Sequence, residues 1–151
     1  LIPQIDNANI ITSFLNFKLK EAKSKNIDVE IISNIKNEEI YIDKEDICRI
    51  LNNITNNIIE ALQECDTKKA KLFIGVTGNY LIIKSENPYK GRLLTEEEKV
   101  VTNKKDRTKH GYGLKSIKSI AEKYNGYMSI IYDDNRFKID VEMLNSEMHE
   151  Y

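Results

Sequence analysis

The chain is poor in residues that staple or coordinate. Its 151 residues include two cysteines, Cys48 and Cys65, and two histidines, His110 and His149. That is too few for a disulfide framework, and without a Cys/His cluster the thiols do not form a zinc site. Both cysteines fall in a stretch that reads as helix, as buried or half-buried thiols of a reducing compartment. An excess of either charge is also missing: 23 basic against 24 acidic side chains leave a net charge of −1. That balance removes any bulk electrostatic case for nucleic acid or for an anionic membrane surface. No apolar run reaches the roughly 20 residues of a bilayer span, and no secretory signal opens the chain. Internal repeats and low-complexity tracts are absent. The chain opens at Leu1 rather than Met, which reads as a piece of a longer polypeptide.

What is present is a globular composition, 40% hydrophobic and 31% charged. The length suits one domain whose core needs no covalent staples. Ile10, Ile11, Phe14, Leu15 and Leu19 recur at helical spacing and predict a helix from about Ile5 to Lys25, ended by Asn26. Ile27, Val29 and Ile31 alternate with polar residues as a half-buried strand. After a polar turn, a short second strand is expected over Glu39–Ile42. Asp43 is suited to cap the next helix, with Asp46 as a weak capping-box partner. That helix runs to about Cys65, with Ile47, Ile50, Leu51, Ile54, Ile58, Ala61 and Leu62 on its core face.

Strands over Ala70–Thr77 and Tyr80–Ser85 flank Gly78-Asn79, a hairpin signal. Residues 88–109 lack periodicity, are rich in charge and are too long for a plain connection, so they read as a functional lid or a mobile loop. A helix over Leu114–Tyr124, stopped by Asn125-Gly126, precedes two closing strands, Tyr127–Tyr132 and Phe137–Leu144. Short turns between strands, with helices between strand pairs, predict a two-layer α/β sandwich. Its sheet is mixed, mostly antiparallel, with the helices on one face.

Three stretches carry chemistry. Positions four apart differ by about 40° around a helix, so Asn53 and Asn57 share a face with Glu60 and Glu64, opposite the apolar set. Amide oxygens suit Mg²⁺, which takes further ligands from waters and phosphates; a solvated asparagine face accounts for the same pattern. Asn87, at the end of an alternating strand before Pro88, can hydrogen-bond a planar heterocycle or cap an Asx-type turn. His110-Gly111-Tyr112-Gly113-Leu114 stands at a helix entrance, where glycines let backbone N–H groups close on phosphate oxygens. A plain turn uses the same residues. The basic run Lys99, Lys104, Lys105, Arg107 and Lys109 suits a polyphosphate or forms a solvated face.

The run Asp46–Ala61 resembles the N box of GHKL-type ATPases, and His110–Ile117 resembles their second glycine box. With Ser85-Glu86-Asn87-Pro88 and Thr102-Asn103-Lys104-Lys105, the chain is similar to the catalytic domain of AgrC/VirS-type sensor histidine kinases, peptide-quorum-sensing receptors of Gram-positive bacteria. The resemblance implies a Bergerat fold. Residues 1–26 would be a lead-in helix after missing dimerisation helices, 27–145 the ATP-binding domain and 146–151 a tail. It implies ATP and Mg²⁺ as ligands. Asn57 would hold the metal and Asn53 would face the phosphates. Asn87 would accept from the adenine amine, where most of the family has an Asp. Lys104 and Lys105 would reach the phosphates, and His110, Gly111, Tyr112, Gly113 and Leu114 would form the phosphate loop. Glu60 would cap the polar stripe or orient a metal-bound water.

No Asp-x-Gly-x-Gly box follows Asn87. The AgrC-like subgroup shares this departure, which predicts weak nucleotide affinity. The reaction implied is phosphoryl transfer from ATP to a histidine on an upstream helix, since neither His110 nor His149 is placed as the acceptor. The implied partners are that dimerisation domain and a response regulator, with no nucleic acid and no direct membrane contact. The chain alone is expected to be a monomer, from the cytoplasmic portion of a membrane-bound receptor. A serine kinase of the anti-sigma-factor type shares the boxes, and a degenerate module that docks a partner is the reading from another class.

Overall fold

The structure, a computed structural model, describes residues 5–90, 112–133 and 135–147. In chain order these form α1 (Ile5–Ser24), β1 (Asp28–Asn34), α2 (Lys44–Gln63), β2 (Lys69–Thr77) and β3 (Tyr80–Pro88). They continue as α3 (Tyr112–Lys123), β4 (Tyr127–Tyr132) and β5 (Arg136–Leu144). The strands make one five-stranded sheet in the order β1-β2-β3-β5-β4. β1 pairs in parallel with β2 through the α2 crossover, and the other three pairings are antiparallel.

Register explains why one face is covered. Ile31, Leu72, Ser85, Ile139 and Ile130 form one row across all five strands, and Ile74, Ile83, Val141 and Met128 form another. Directly paired residues point to the same side, so these rows make an apolar face. The opposite face carries Glu30, Lys71, Glu86 and Lys138 in an alternating-charge row. The helices lie on the apolar side. α2 contributes Ile47, Ile50, Leu51, Ile54, Ile58 and Leu62, none more than 1% exposed. Ile11 and Leu15 of α1, and Ile117 and Ala121 of α3, complete the layer. This is the expected mixed two-layer sandwich.

Local signals explain the element ends. α1 stops with Asn26 at φ 61°, and Ile27 N–H donates to Ala22 O while Asn26 N–H donates to Lys23 O. α3 stops in the same way: Asn125 has φ 55°, Gly126 N–H donates to Ala121 O and Asn125 N–H to Glu122 O. Both are Schellman closures with asparagine in the left-handed position. Gly126 has no alternative residue, because a Cβ there would lie 1.8 Å from Glu142 O. Gly78 opens the β2–β3 hairpin turn at φ 59°.

Two expectations are corrected. Residues 39–42 do not form a second strand. Ile40 and Ile42 are fully buried, but the backbone between them is held by a side chain rather than a strand. Asn145 Oδ1 accepts from Tyr41 N–H at 2.8 Å, and Asn145 Nδ2 donates to Glu39 O at 2.8 Å. Asp43 caps α2 by accepting from Glu45 N–H at 2.8 Å. Asp46, however, does not complete a capping box; it turns into the molecule toward α3. Cys48 is half-buried and Cys65 buried, and burial pushes the Cys48 thiol up.

Candidate nucleotide site

α2 is amphipathic because its apolar residues recur every three to four positions, so the asparagine stripe is carried on its other flank. Asn53 and Asn57 are half-buried there rather than fully solvated. The start of α3 lies against this stripe. A Cβ built on Gly113 would sit 3.6 Å from Asn53 Oδ1 and 3.7 Å from its Cγ. Two motifs sixty residues apart in sequence therefore share one surface. The α3 N-terminus brings unpaired N–H groups and the positive end of the helix dipole to the same place.

A buried strut fixes how α3 lies on α2. Asp46, near the start of α2, is 7% exposed. Tyr124, just past α3 and fully buried, donates its hydroxyl to Asp46 Oδ2 at 2.5 Å. Lys123 Nζ reaches the same oxygen at 2.9 Å, and Arg49 reaches Oδ1 at 3.3 Å. Burial pushes the Asp46 carboxyl up, but the Tyr124 and Lys123 hydrogen bonds and the neighbouring cations outweigh it and hold the group below its ordinary value. With Tyr124 beside Asp46 and Gly113 beside Asn53, α3 runs back along α2. A second tie joins α1 to the same helix: Lys18, 4% exposed, donates to Asn56 Oδ1 at 2.9 Å and pairs with Glu21 at 2.6 Å.

Asn87 stands near the end of β3, 2% exposed, on the face that α2 and α3 cover. Its Nδ2 donates to Pro88 O at 2.8 Å. Tyr89, Tyr132 and Phe137 cluster beside it, with ring centroids 5.3–6.0 Å apart.

Of the residues singled out in the sequence, Asn53, Asn57, Gly113 and Leu114 gather at the α2–α3 junction, and Asn87 shares the helix-covered face. Lys104, Lys105, His110 and Gly111 lie outside the described residues, as does the Tyr112 side chain. The Asp46–Tyr124 strut and the aromatic cluster were missed. The strut had a faint signal in an aspartate one position before the apolar face of α2 begins. The cluster had none, because its members come from separate strands.

The donor set fits a Mg²⁺–nucleotide. Among the described residues no group of three or more His, Cys, Asp or Glu could cage a metal. A Mg²⁺ ion bound through phosphates and waters needs only one or two protein oxygens, which the α2 amides can provide. No helix among the described residues is long and apolar enough to cross a membrane.

An open mixed sheet, with a site built between two helices on its covered face, defines an α/β sandwich of the nucleotide-binding class. The chain belongs to the GHKL domain family, whose model matches residues 42–144. Its fold is similar to that of the Acinetobacter baumannii histidine kinase AdeS, with TM-score 0.65 and 17% identity over 89% of this chain. This chain spans 64% of that AdeS chain. It is also similar to the catalytic domain of histidine kinase ThkA in two nucleotide-free crystal forms, each with TM-score 0.69. Identity there is 19% and 20%, with 93% of this chain covered and 92% and 93% of those chains. Comparison with curated protein sequences gives no match.

Proposed function

We propose that this chain is the ATP-binding catalytic domain of a sensor histidine kinase of the AgrC/VirS type, acting in peptide quorum sensing. Family membership and the likeness to histidine kinase catalytic domains support the kinase part of this reading. The observation that carries it is the approach of Gly113 to Asn53, one helical turn from Asn57. Bound Mg²⁺–ATP supplies the phosphoryl group and the charge that offsets its transfer. Asn57 holds the metal, Asn53 faces the phosphates, and the α3 N-terminal N–H groups accept phosphate oxygens. Asn87 accepts from the base. Lys104, Lys105, His110 and Gly111 belong to the same reading.

The acceptor is a histidine on an upstream dimerisation domain, and the phosphoryl group then passes to a response regulator. The domain works on the cytoplasmic side of a membrane-bound receptor. The test is titration of the chain with ATP, with and without Mg²⁺. Binding is expected to depend on Mg²⁺ and to weaken at least about ten-fold in Asn57→Ala, one charge-assisted contact's worth. ATP binding indifferent to both changes, or stable phosphate on His110 or His149, overturns the reading.

A further inference from the structure

The β-sheet register assembles a feature that the motifs alone do not contain. Asn87 pairs with Phe137, and Phe137 pairs with Tyr132, so the three side chains form one row on the helix-covered face. Tyr89, two residues past Asn87, joins them: its ring lies 5.9 Å from Tyr132 and 6.0 Å from Phe137, and those two are 5.3 Å apart. Tyr89 N–H donates to Asn135 O at 2.9 Å, which keeps the strand end paired beyond Pro88. All three rings are half-buried, so the cluster keeps an open surface beside a buried amide.

The orientation of that amide is decided by chemistry. The Pro88 carbonyl can only accept, so the end of Asn87 facing it at 2.8 Å must be the NH₂. The carboxamide oxygen is then turned away from Pro88. An unconstrained asparagine could rotate to meet either an amine or a carbonyl; this one is held as an acceptor.

We propose that the Tyr89–Tyr132–Phe137 cluster is the base platform of the site, and that the Pro88-locked Asn87 beside it selects 6-amino over 6-oxo purines. This rests on the nucleotide-binding reading above. Aromatic faces take any flat base, so the cluster supplies affinity without discrimination. Discrimination comes from the locked oxygen. It accepts from an exocyclic amine, whereas a 6-oxo group would set two lone-pair-bearing oxygens against each other.

Three ligands separate the parts: ATP, inosine triphosphate and inorganic tripolyphosphate, each titrated with Mg²⁺. ATP is expected to bind about ten-fold more tightly than inosine triphosphate, the effect of one hydrogen bond made against one frustrated. Tyr89→Ala is expected to weaken ATP about ten-fold, the lower range for one base–aromatic contact. The same variant leaves tripolyphosphate affinity unchanged, which also verifies its fold, and Tyr89→Phe restores ATP affinity. Equal affinity for ATP and inosine triphosphate removes the selectivity claim. Equal ATP affinity in wild type and Tyr89→Ala removes the platform. If the wild-type chain binds neither ATP nor tripolyphosphate, the nucleotide-binding reading fails and this proposal fails with it.

Discussion

At the scale of single residues, Asp46 shows how a position legible as one thing serves another. Its place three residues after Asp43 suggests a capping role, but the cap is satisfied by Glu45 N–H, and Asp46 is free to turn inward. It then meets the Tyr124 hydroxyl, contributed by a helix 78 positions away, a pairing no local pattern encodes. The carboxyl titrates below its ordinary value in the folded protein. Its contribution to stability is therefore full above the usual aspartate range and is lost as pH falls through the folded-state value. Tyr124→Phe removes the strongest neutral donor and moves that value upward. A hydrogen bond to a charged group contributes about 1.5–3 kcal/mol. The variant should lose stability of that order at neutral pH in denaturant unfolding. Its acid unfolding should begin at a higher pH than that of wild type. An unchanged acid limb would mean that Lys123 and Arg49 hold the carboxylate unaided.

At the scale of elements, the helices and strands that follow a clear period were readable. The apolar recurrence of α2 predicted six of its fully buried side chains by position, from Ile47 to Leu62. Asn26 and Asn125-Gly126 announced two helix ends through the left-handed turn such residues tolerate. What failed was the 39–42 segment, whose alternation is a strand's but whose partner is the Asn145 amide, over a hundred residues away. The site was legible for a related reason. Asn53 and Gly113 lie in motifs visible along the chain, but only the fold of α3 back over α2 brings them together.

Gly113 gives the cleanest separation of folding from ligand binding. It lies inside α3 without a positive φ, and a methyl group there would meet Asn53 at ordinary contact distance. Gly113→Ala should leave stability unchanged or raise it by roughly 0.5 kcal/mol, as Ala commonly does in a helix. The same methyl would stand between the α3 backbone and the Asn53 amide, where the phosphates are proposed to approach. Thermal melting should therefore hold or rise while Mg²⁺–ATP affinity falls. A variant that keeps full affinity would show that the ligand does not approach this backbone.

At the scale of the whole molecule, the question is where the folding unit begins. The resemblance marks residues 1–26 as a lead-in, and the family match starts only at residue 42. The packing places α1 inside the core. Ala8, Ile11, Leu15 and Ala22 are each no more than 3% exposed. Leu15, Leu19 and Ala22 close over Val29, Ile31 and Ile59 around a void of only about 10 Å³, too small for more than one water. Lys18 adds a polar tie to α2. Burying one large aliphatic side chain contributes about 1.5–3 kcal/mol. A few such losses equal the roughly 5–15 kcal/mol that holds a domain of this size together. A chain beginning at residue 27 should therefore lose its cooperative melting transition or melt far below the full chain, and bind a hydrophobic dye in the cold. A chain from residue 27 that melts as sharply, and at the same temperature, as the full one would show that α1 is an appendage. In the packing described, any displacement of α1 must strain the helix that carries Asn53 and Asn57.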